Sequence, residues 1–323
     1  MNATATFALG VDIGGTKVAA GLVDAEGDIY FQTRVAMPAR GSAGEGFAAV
    51  QSAIEAVFAA HPTARARLTQ IGICAPGPLD PVTGVILNPP NVPCWRNYPL
   101  AAEVRRVFGI SARIDNDGNA AALAEALWGA GAGYRNVFYV TLGTGIGTGI
   151  VFDRKIYHGR TGSAAEGGHL TIDYRGPRCG CGKRGCIEAL CSGPAIARSA
   201  REKLAVSTGN KSRMLEFAGG TLEGVTAEVV GEAYRQGDSL AAEVLRETAD
   251  FLAIWAGNVI DLLEPDVFIF GGGLAELMSG FFWRIREQLP KWCVNRRFAE
   301  IPMVLAKYGP DAGIAGAAAL CGS

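Results

Sequence analysis

Three cysteines crowd into eight residues, Cys179-Gly-Cys181-Gly-Lys-Arg-Gly-Cys186, and His169 stands shortly before them. One imidazole and three thiolates make a complete tetrahedral donor set, the composition of a closed structural zinc site. Unpaired buried cysteines are the plain alternative. Clustering among glycines, in a chain where no secretory leader is expected, reads more readily as metal ligation than as disulfides. A catalytic zinc keeps one position open, and four protein donors leave none. Cys191 reads as a small core residue on the next helix, and Cys74, Cys94, Cys293 and Cys321 as packing residues.

Glycine turns suggest a second chemistry. Asp12-Ile-Gly-Gly-Thr-Lys17 lies between two strand-like runs. Gly14 and Gly15 let backbone N–H groups approach phosphate oxygens, while Thr16 and Lys17 add a hydroxyl and a charge. Asp12, ending the first strand, is placed to hold Mg²⁺ directly or through water. Leu142-Gly-Thr-Gly-Ile-Gly147 offers the same from Gly143, Thr144 and Gly145, and Gly271-Gly-Gly273 follows a buried strand further on. Any one of these alone is better explained as a tight structural turn; together they point to a nucleotide. A Gly-Lys-Ser/Thr phosphate loop is absent. The spacing of Gly143, Gly145 and Gly147 does not fit a dinucleotide fingerprint leading into a helix, so a dehydrogenase is disfavoured.

Carboxylates accompany both motifs. Asp115-Asn116-Asp117 closes a strand, where ligand sites of α/β proteins gather. Glu166 lies three residues before His169 and Glu188 two after Cys186. An acceptor hydroxyl needs an oriented acid to take its proton, and a polyol needs several acceptors. Each acid taken alone reads as a solvated loop carboxylate; their placement around one metal loop favours a sugar pocket.

Regular elements must hold these residues. Phe7–Ile13, Lys17–Val23 and Asp28–Val35 read as strands, followed by an amphipathic helix around Gly46–Ala60 with Phe47, Val50, Ile54, Val57 and Phe58 at helical spacing. A strand at Gln70–Cys74, a Pro-rich loop, a helix near Leu100–Phe108 and a strand at Ile110–Ile114 come next. The plan then recurs: strands at Val137–Leu142 and Ile146–Phe152, a third at Lys155–Tyr157, and a long helix Ser239–Leu263 ended by Glu264-Pro265. A strand at Asp266–Phe270, a helix, a strand at Ile301–Ala306 and a helix from Asp311 complete it; residues 207–224 are expected to be a loop. This predicts a duplicated α/β architecture with a cleft between halves, against the alternative of two Gly/Thr turns alike by chance.

The 323 residues are 49% hydrophobic, ample for two cores, and 30 Lys+Arg balance 31 Asp+Glu for a net charge of −1. That balance argues against a nucleic-acid footprint but not against one small anionic nucleotide. Neither a secretory signal nor a membrane-spanning apolar run is found, so a cytoplasmic protein is expected.

Six stretches together resemble a known family: Asp12–Lys17, Ala75-Pro-Gly-Pro78, Asn116-Asp117 with Asn119-Ala-Ala121, Leu142–Gly147, Glu166-Gly-Gly-His169 and Cys179–Glu188. They are similar to the sugar kinases of the repressor/open-reading-frame/kinase (ROK) group in the actin-like ATPase superfamily, over nearly the whole chain. The resemblance implies a two-lobed, duplicated ribonuclease-H-like fold of the actin/hexokinase superfamily. Its lobes would be 1–115, rejoined by 303–323, and 116–302 with the zinc loop. It implies phosphorylation of a hexose hydroxyl by ATP and Mg²⁺, glucose to glucose 6-phosphate foremost, with N-acetylglucosamine, mannose, fructose or allose as alternative acceptors.

Carried over residue by residue, the resemblance makes Asp117 the catalytic base and Asn116 a sugar ligand. Glu166, His169 and Glu188 would hold ring hydroxyls, and His169 would also bind zinc with Cys179, Cys181 and Cys186. Gly77 and Asn91 fall in sugar-contacting loops. Asp12 resembles the metal-anchoring acid, and Gly272 and Gly273 lie where adenosine would rest. Repressor relatives carry a helix-turn-helix before the kinase-like part; a phosphate strand beginning near residue seven leads us to expect none. A non-catalytic sugar-responsive module is expected to lose Asp12 or Asp117, and both are present. The expected partners are a hexose and ATP, in a homodimer or homotetramer, with no nucleic acid and no membrane.

Overall fold

The computed structural model describes residues 7–207 and 212–322. Strands β1 (Phe7–Ile13), β2 (Lys17–Asp24), β3 (Ile29–Ala36), β4 (Gln70–Ala75) and, after a small hairpin of β5 (Leu79–Asp80) and β6 (Val85–Ile86), β7 (Ser111–Asn116) build a first sheet in the order β3-β2-β1-β4-β7. Two tight turns make β1, β2 and β3 antiparallel, and longer crossovers make β1, β4 and β7 parallel. A second sheet of β8 (Asn136–Leu142), β9 (Ile146–Phe152), β10 (Lys155–Ile156), β11 (Val267–Gly271) and β12 (Met303–Leu305) has the order β10-β9-β8-β11-β12. Read as third, second, first, fourth and fifth strand, the two orders are identical, which is the duplication the glycine hairpins suggested.

The chain divides into two units. One runs through Tyr139 and takes in Gly149–Ala165 and the chain from Ala306 onward; the other comprises Val140–Thr148 and Glu166–Leu305. This differs from a boundary at 115/116. The helix Asp117–Trp128 is buried from Gly118 through Ala126 and packs on the helix Ala312–Ala319, which keeps it with the first unit.

In the first unit the crossover helix Ala43–Ala60 is started by a capping box, Ser42 Oγ accepting from Glu45 N–H and Glu45 Oε2 from Ser42 N–H. Phe47, Val50, Ile54, Val57 and Phe58 are buried by it, and the helix lies against β1, β2 and β3. The other face of the sheet is covered by Ala312–Ala319, whose small residues permit backbone-to-backbone contact. A Cβ at Gly10 would lie 2.1 Å from Ile314 O, and one at Gly72 only 1.7 Å from Ala317 O. The parallel register sets Asp12 opposite Cys74 and Cys74 opposite Asp115, so the strand ends are abreast.

In the second unit the helix Ser239–Leu263 is capped by Asp238, which accepts from Ala241 N–H, and ends at Glu264 in the left-handed region just before Pro265. The span 207–224 is not all loop. Residues 208–211 lie outside the described residues, but Ser212 caps a short helix, Arg213–Phe217. Among the described residues no helix is long and apolar enough to cross a membrane.

The tight contact at Gly72 has a measurable consequence. Gly72→Ala should lower unfolding stability by about 1–3 kcal/mol, because backbone must move to admit the methyl group. Gly44→Ala, on the exposed first turn of a helix with nothing within 4 Å, should be neutral or gain up to about 1 kcal/mol. Denaturant titration of both variants reads the difference, and equal midpoints would contradict the packing described.

Candidate active site

The sequence-nominated residues separate between the units. Asp12, Gly14, Gly15, Thr16, Lys17, Gly77, Asn91, Asn116 and Asp117 fall in the first; Gly143, Thr144, Gly145, Glu166, His169, the three cysteines, Glu188, Gly272 and Gly273 fall in the second.

In the first unit, Gly14 N–H donates to Lys17 O (2.9 Å) to close the β1–β2 turn, leaving Thr16 and Lys17 exposed. Gly15 packs directly on Asn91, whose carbonyl oxygen is 2.8 Å from where a Cβ would stand. Burial pushes the Asp12 carboxyl up from its ordinary value, against the pull of the Cys74 thiol 3.4 Å from Oδ1 and of Lys17 and Arg34. Cys74 is thus more than a packing residue. A carboxylate whose ionisation burial opposes gains most from a bound cation.

At the end of β7 the chain turns into the helix Asp117–Trp128. Asn116 Oδ1 caps it by accepting Gly118 N–H at 2.9 Å, and Asp117 Oδ1 accepts the same N–H at 2.8 Å. Asp117 is exposed on the first turn, where the helix dipole favours a carboxylate. Gly77 lies beside Asn116, 3.4 Å from its Nδ2 as measured from an added Cβ. Behind this turn sits His158, which sequence reasoning did not single out, against Asp115, which it did. Buried Asp115 accepts from Asn116 N–H (2.7 Å), Asn119 Nδ2 (3.0 Å) and His158 Nε2 (2.6 Å). No spacing pattern marks His158, because its partner is 43 residues away.

In the second unit a single 3₁₀ turn, Gly167–His169, runs under β9. Gly167 N–H donates to Thr148 Oγ1 (2.8 Å), Trp255 Nε1 donates to Gly167 O (2.9 Å), and a Cβ at Gly168 would lie 1.8 Å from Ile146 O. Glu166 and His169 therefore emerge at the two ends of one pinned turn. The ligand atoms of His169, Cys179, Cys181 and Cys186 all lie within 4.8 Å of one another. His169 Nδ1 to Cys179 Sγ is 3.6 Å and Cys181 Sγ to Cys186 Sγ is 3.7 Å. A zinc tetrahedron with Zn–S of about 2.3 Å and Zn–N of about 2.0 Å requires edges of roughly 3.6 and 3.8 Å, so this donor set fits the metal. Without a cation, burial pushes the Cys179 thiol up to about 12 and raises Cys186 as well.

Glu188 joins this loop to the glycine hairpin. Its Oε1 is 3.8 Å from His169 Nδ1, and its Oε2 accepts Ile146 N–H at 3.0 Å. At Gly145 a Cβ would meet Oε2 at 2.7 Å, so the carboxylate occupies space that only glycine leaves. Gly193 N–H to Gly143 O (2.8 Å) and Leu274 N–H to Leu142 O (3.0 Å) draw two further loops against the hairpin. They enclose a cavity of about 660 Å³ lined by Thr144, Arg201, Thr226, Glu228, Gly273 and Leu277 among others.

A family model described as the ROK family matches residues 8–323. The chain belongs to the ROK family. This ROK chain is 36% identical to the glucokinase of Streptomyces coelicolor over 313 residues, covering 97% of this chain and 96% of that protein. It is 30% identical to the N-acetyl-D-glucosamine kinase of Pasteurella multocida over 325 residues, covering 96% and 98%. A crystal structure of a ROK family glucokinase from Streptomyces griseus, in complex with glucose and AMPPNP, matches with a TM-score of 0.81 at 36% identity over 97% of this chain and 98% of that one. The chain has the two-lobed α/β fold of these ROK enzymes.

The Glu188–hairpin contact is testable without any ligand. Gly145→Ala should displace the carboxylate and cost about 1–3 kcal/mol. Gly143→Ala, with nothing within 4 Å, should stay within about 0.5 kcal/mol of the parent protein. Calorimetry that found the two variants equally stable would contradict the contact.

Proposed function

We propose that this ROK protein transfers the γ-phosphoryl group of ATP to the 6-hydroxyl of a hexose, with glucose as the first acceptor. The observation that carries the reading is the pinned turn Glu166–His169, which sets His169 Nδ1 3.6 Å from Cys179 Sγ within a cluster of one imidazole and three thiols, with Glu166 at the turn's other end. Full-length similarity to the Streptomyces coelicolor glucokinase supports glucose. Similarity to the Pasteurella multocida kinase keeps N-acetylglucosamine as the second acceptor to examine. A coupled ADP-release assay over glucose, N-acetylglucosamine, mannose, fructose and allose tests the reading. The highest kcat/KM belongs to glucose on this account, and absence of turnover with every hexose would end it.

Each residue then has a role. Asn116, Glu166, His169 Nε2 and Glu188 bind the sugar hydroxyls, with Gly77 and Asn91 in the adjoining loops. Asp117 accepts the 6-hydroxyl proton as that oxygen attacks the γ-phosphorus; the bond to the β–γ bridging oxygen breaks, and ADP and the hexose 6-phosphate leave. Backbone N–H groups of Gly14–Lys17 and Gly143–Gly145 bind phosphate oxygens. The cavity beside Gly272 and Gly273 takes the adenosine. Asp12 would hold Mg²⁺, which when bound neutralises phosphate charge. His169, Cys179, Cys181 and Cys186 would hold a zinc whose contribution is structural, since four protein donors fill its tetrahedron.

Two outcomes follow. Asp117→Asn keeps the shape and removes the basicity, so kcat should fall by about two or more orders of magnitude while sugar affinity changes far less. Near-normal kcat in this variant would remove Asp117 from the role. Metal analysis should find about one zinc per chain. Cys181→Ala should raise the sugar KM and lower the thermal midpoint, leaving ATP affinity measured without sugar little changed. A metal-free native protein, or a Cys181→Ala protein with unaltered sugar KM and stability, would refute the zinc assignment.

A further inference from the structure

We propose that His158 is a positioning residue for phosphoryl transfer: it holds the buried Asp115 carboxylate, and Asp115 fixes the turn that presents Asn116 and Asp117. The inference rests on Asp117 being the base and concerns what keeps that base in place.

Asp115 is 4% exposed. Its Oδ1 receives the N–H of Asn116 and the amide of Asn119, one helical turn further on, while its Oδ2 meets His158 Nε2 at 2.6 Å. Because the carboxylate can only accept, Nε2 carries the proton in this contact. Asn119 shows how strongly the site is organised around Asp115. Its Nδ2 is committed to the carboxylate, and its own Oδ1 is left buried without a partner. An orphaned buried acceptor is unfavourable and is tolerated where the competing demand for a donor is stronger. Of the three groups contacting the carboxylate, only the imidazole can also bring positive charge. Removing it leaves a buried anion without that partner on Oδ2, two residues before the proposed base.

His158 is anchored in turn. It follows the edge strand β10, and its carbonyl accepts the N–H groups of Gly162 and Ala164, which shapes the turn leading in sequence to Glu166. One imidazole therefore ties this segment to the one that carries Asp117. The cavity of about 460 Å³ at His158 is lined by two other charged groups, Arg113 on β7 and Lys155 on β10; Pro81–Gly84, Ala101 and Leu320 bring none. Asp115 raises the imidazole above its ordinary range, with burial acting against it. The raised value sets the sign. The charged pair is complete at lower pH and loses its charge as pH climbs through the folded-state value, although a neutral Nε2–H still donates.

The test compares steady-state kinetics of the parent enzyme, His158→Ala, His158→Gln and Asp117→Asn across neutral and alkaline pH. His158→Ala should lower kcat by about ten- to a hundredfold through misplacement of the base, with little change in KM for ATP. His158→Gln keeps a neutral donor. It should recover most of the loss and lack the alkaline fall in kcat expected of the parent. Independently of turnover, the His158 imidazole followed by NMR should titrate at lower pH in Asp115→Asn than in the parent. A folded His158→Ala with parental kcat and pH profile, or a Gln variant no better than Ala, overturns the positioning role while an inert Asp117→Asn leaves the base in place. A fully active Asp117→Asn overturns the base, and this proposal with it.

Discussion

The passage of Gly167 and Gly168 beneath β9 is the constraint on which the second unit's chemistry depends. Backbone meets backbone there, with no room for a Cβ at Gly168 and with Thr148 and Trp255 holding the turn from two sides. Glu166 and His169 follow directly, since neither end of a one-turn segment can move alone. The metal donor set and Glu188 are arranged around the imidazole that this turn fixes. On the proposed reading, His169 and the three cysteines of the following loop would brace Glu188, which lies 3.8 Å from the imidazole, without spending a coordination position on chemistry.

Close backbone contact serves the first unit in a different way. The small-residue helix Ala312–Ala319 lies on Gly10 and Gly72 and covers the sheet without side-chain bulk, so the parallel strands end in step. Asp12 and Asp115 lie on parallel strands flanking β4 yet live in opposite environments. Asp12 is raised by burial, and among the described residues the Cys74 thiol is its hydrogen-bonding side chain, with Lys17 and Arg34 acting through charge. Asp115 is saturated by three donors. The first is suited to receive a cation from solution; the second is already committed to holding the chain.

Much of this was legible in the sequence because its signals are local. Strand-like runs and glycine turns marked both hairpins, and helical spacing from Phe47 to Phe58 marked the helix that runs over Ala43–Ala60. The crowding of three cysteines in eight residues marked the metal loop. Asp117–Trp128 escaped the pattern reading because it is buried on all sides from Gly118 to Ala126, which erases the amphipathic period. The same burial against Ala312–Ala319 is why a domain boundary drawn at the end of β7 falls too early. Ser207–Gly224 hid the helix Arg213–Phe217 because five residues are too few to show a period. His158 was illegible for a third reason: a single histidine among turn residues carries no spacing, and its partner is distant in sequence.

The central claim is that a metal-braced loop forms the sugar side of a kinase site. The most direct test is calorimetric titration of glucose, without ATP, onto the native protein, the protein stripped of zinc, and the stripped protein resupplied with zinc or with magnesium. The account expects glucose binding to be lost or severely weakened on stripping and restored by zinc but not by magnesium. A zinc-free protein that stays folded and binds glucose with the native affinity would contradict it.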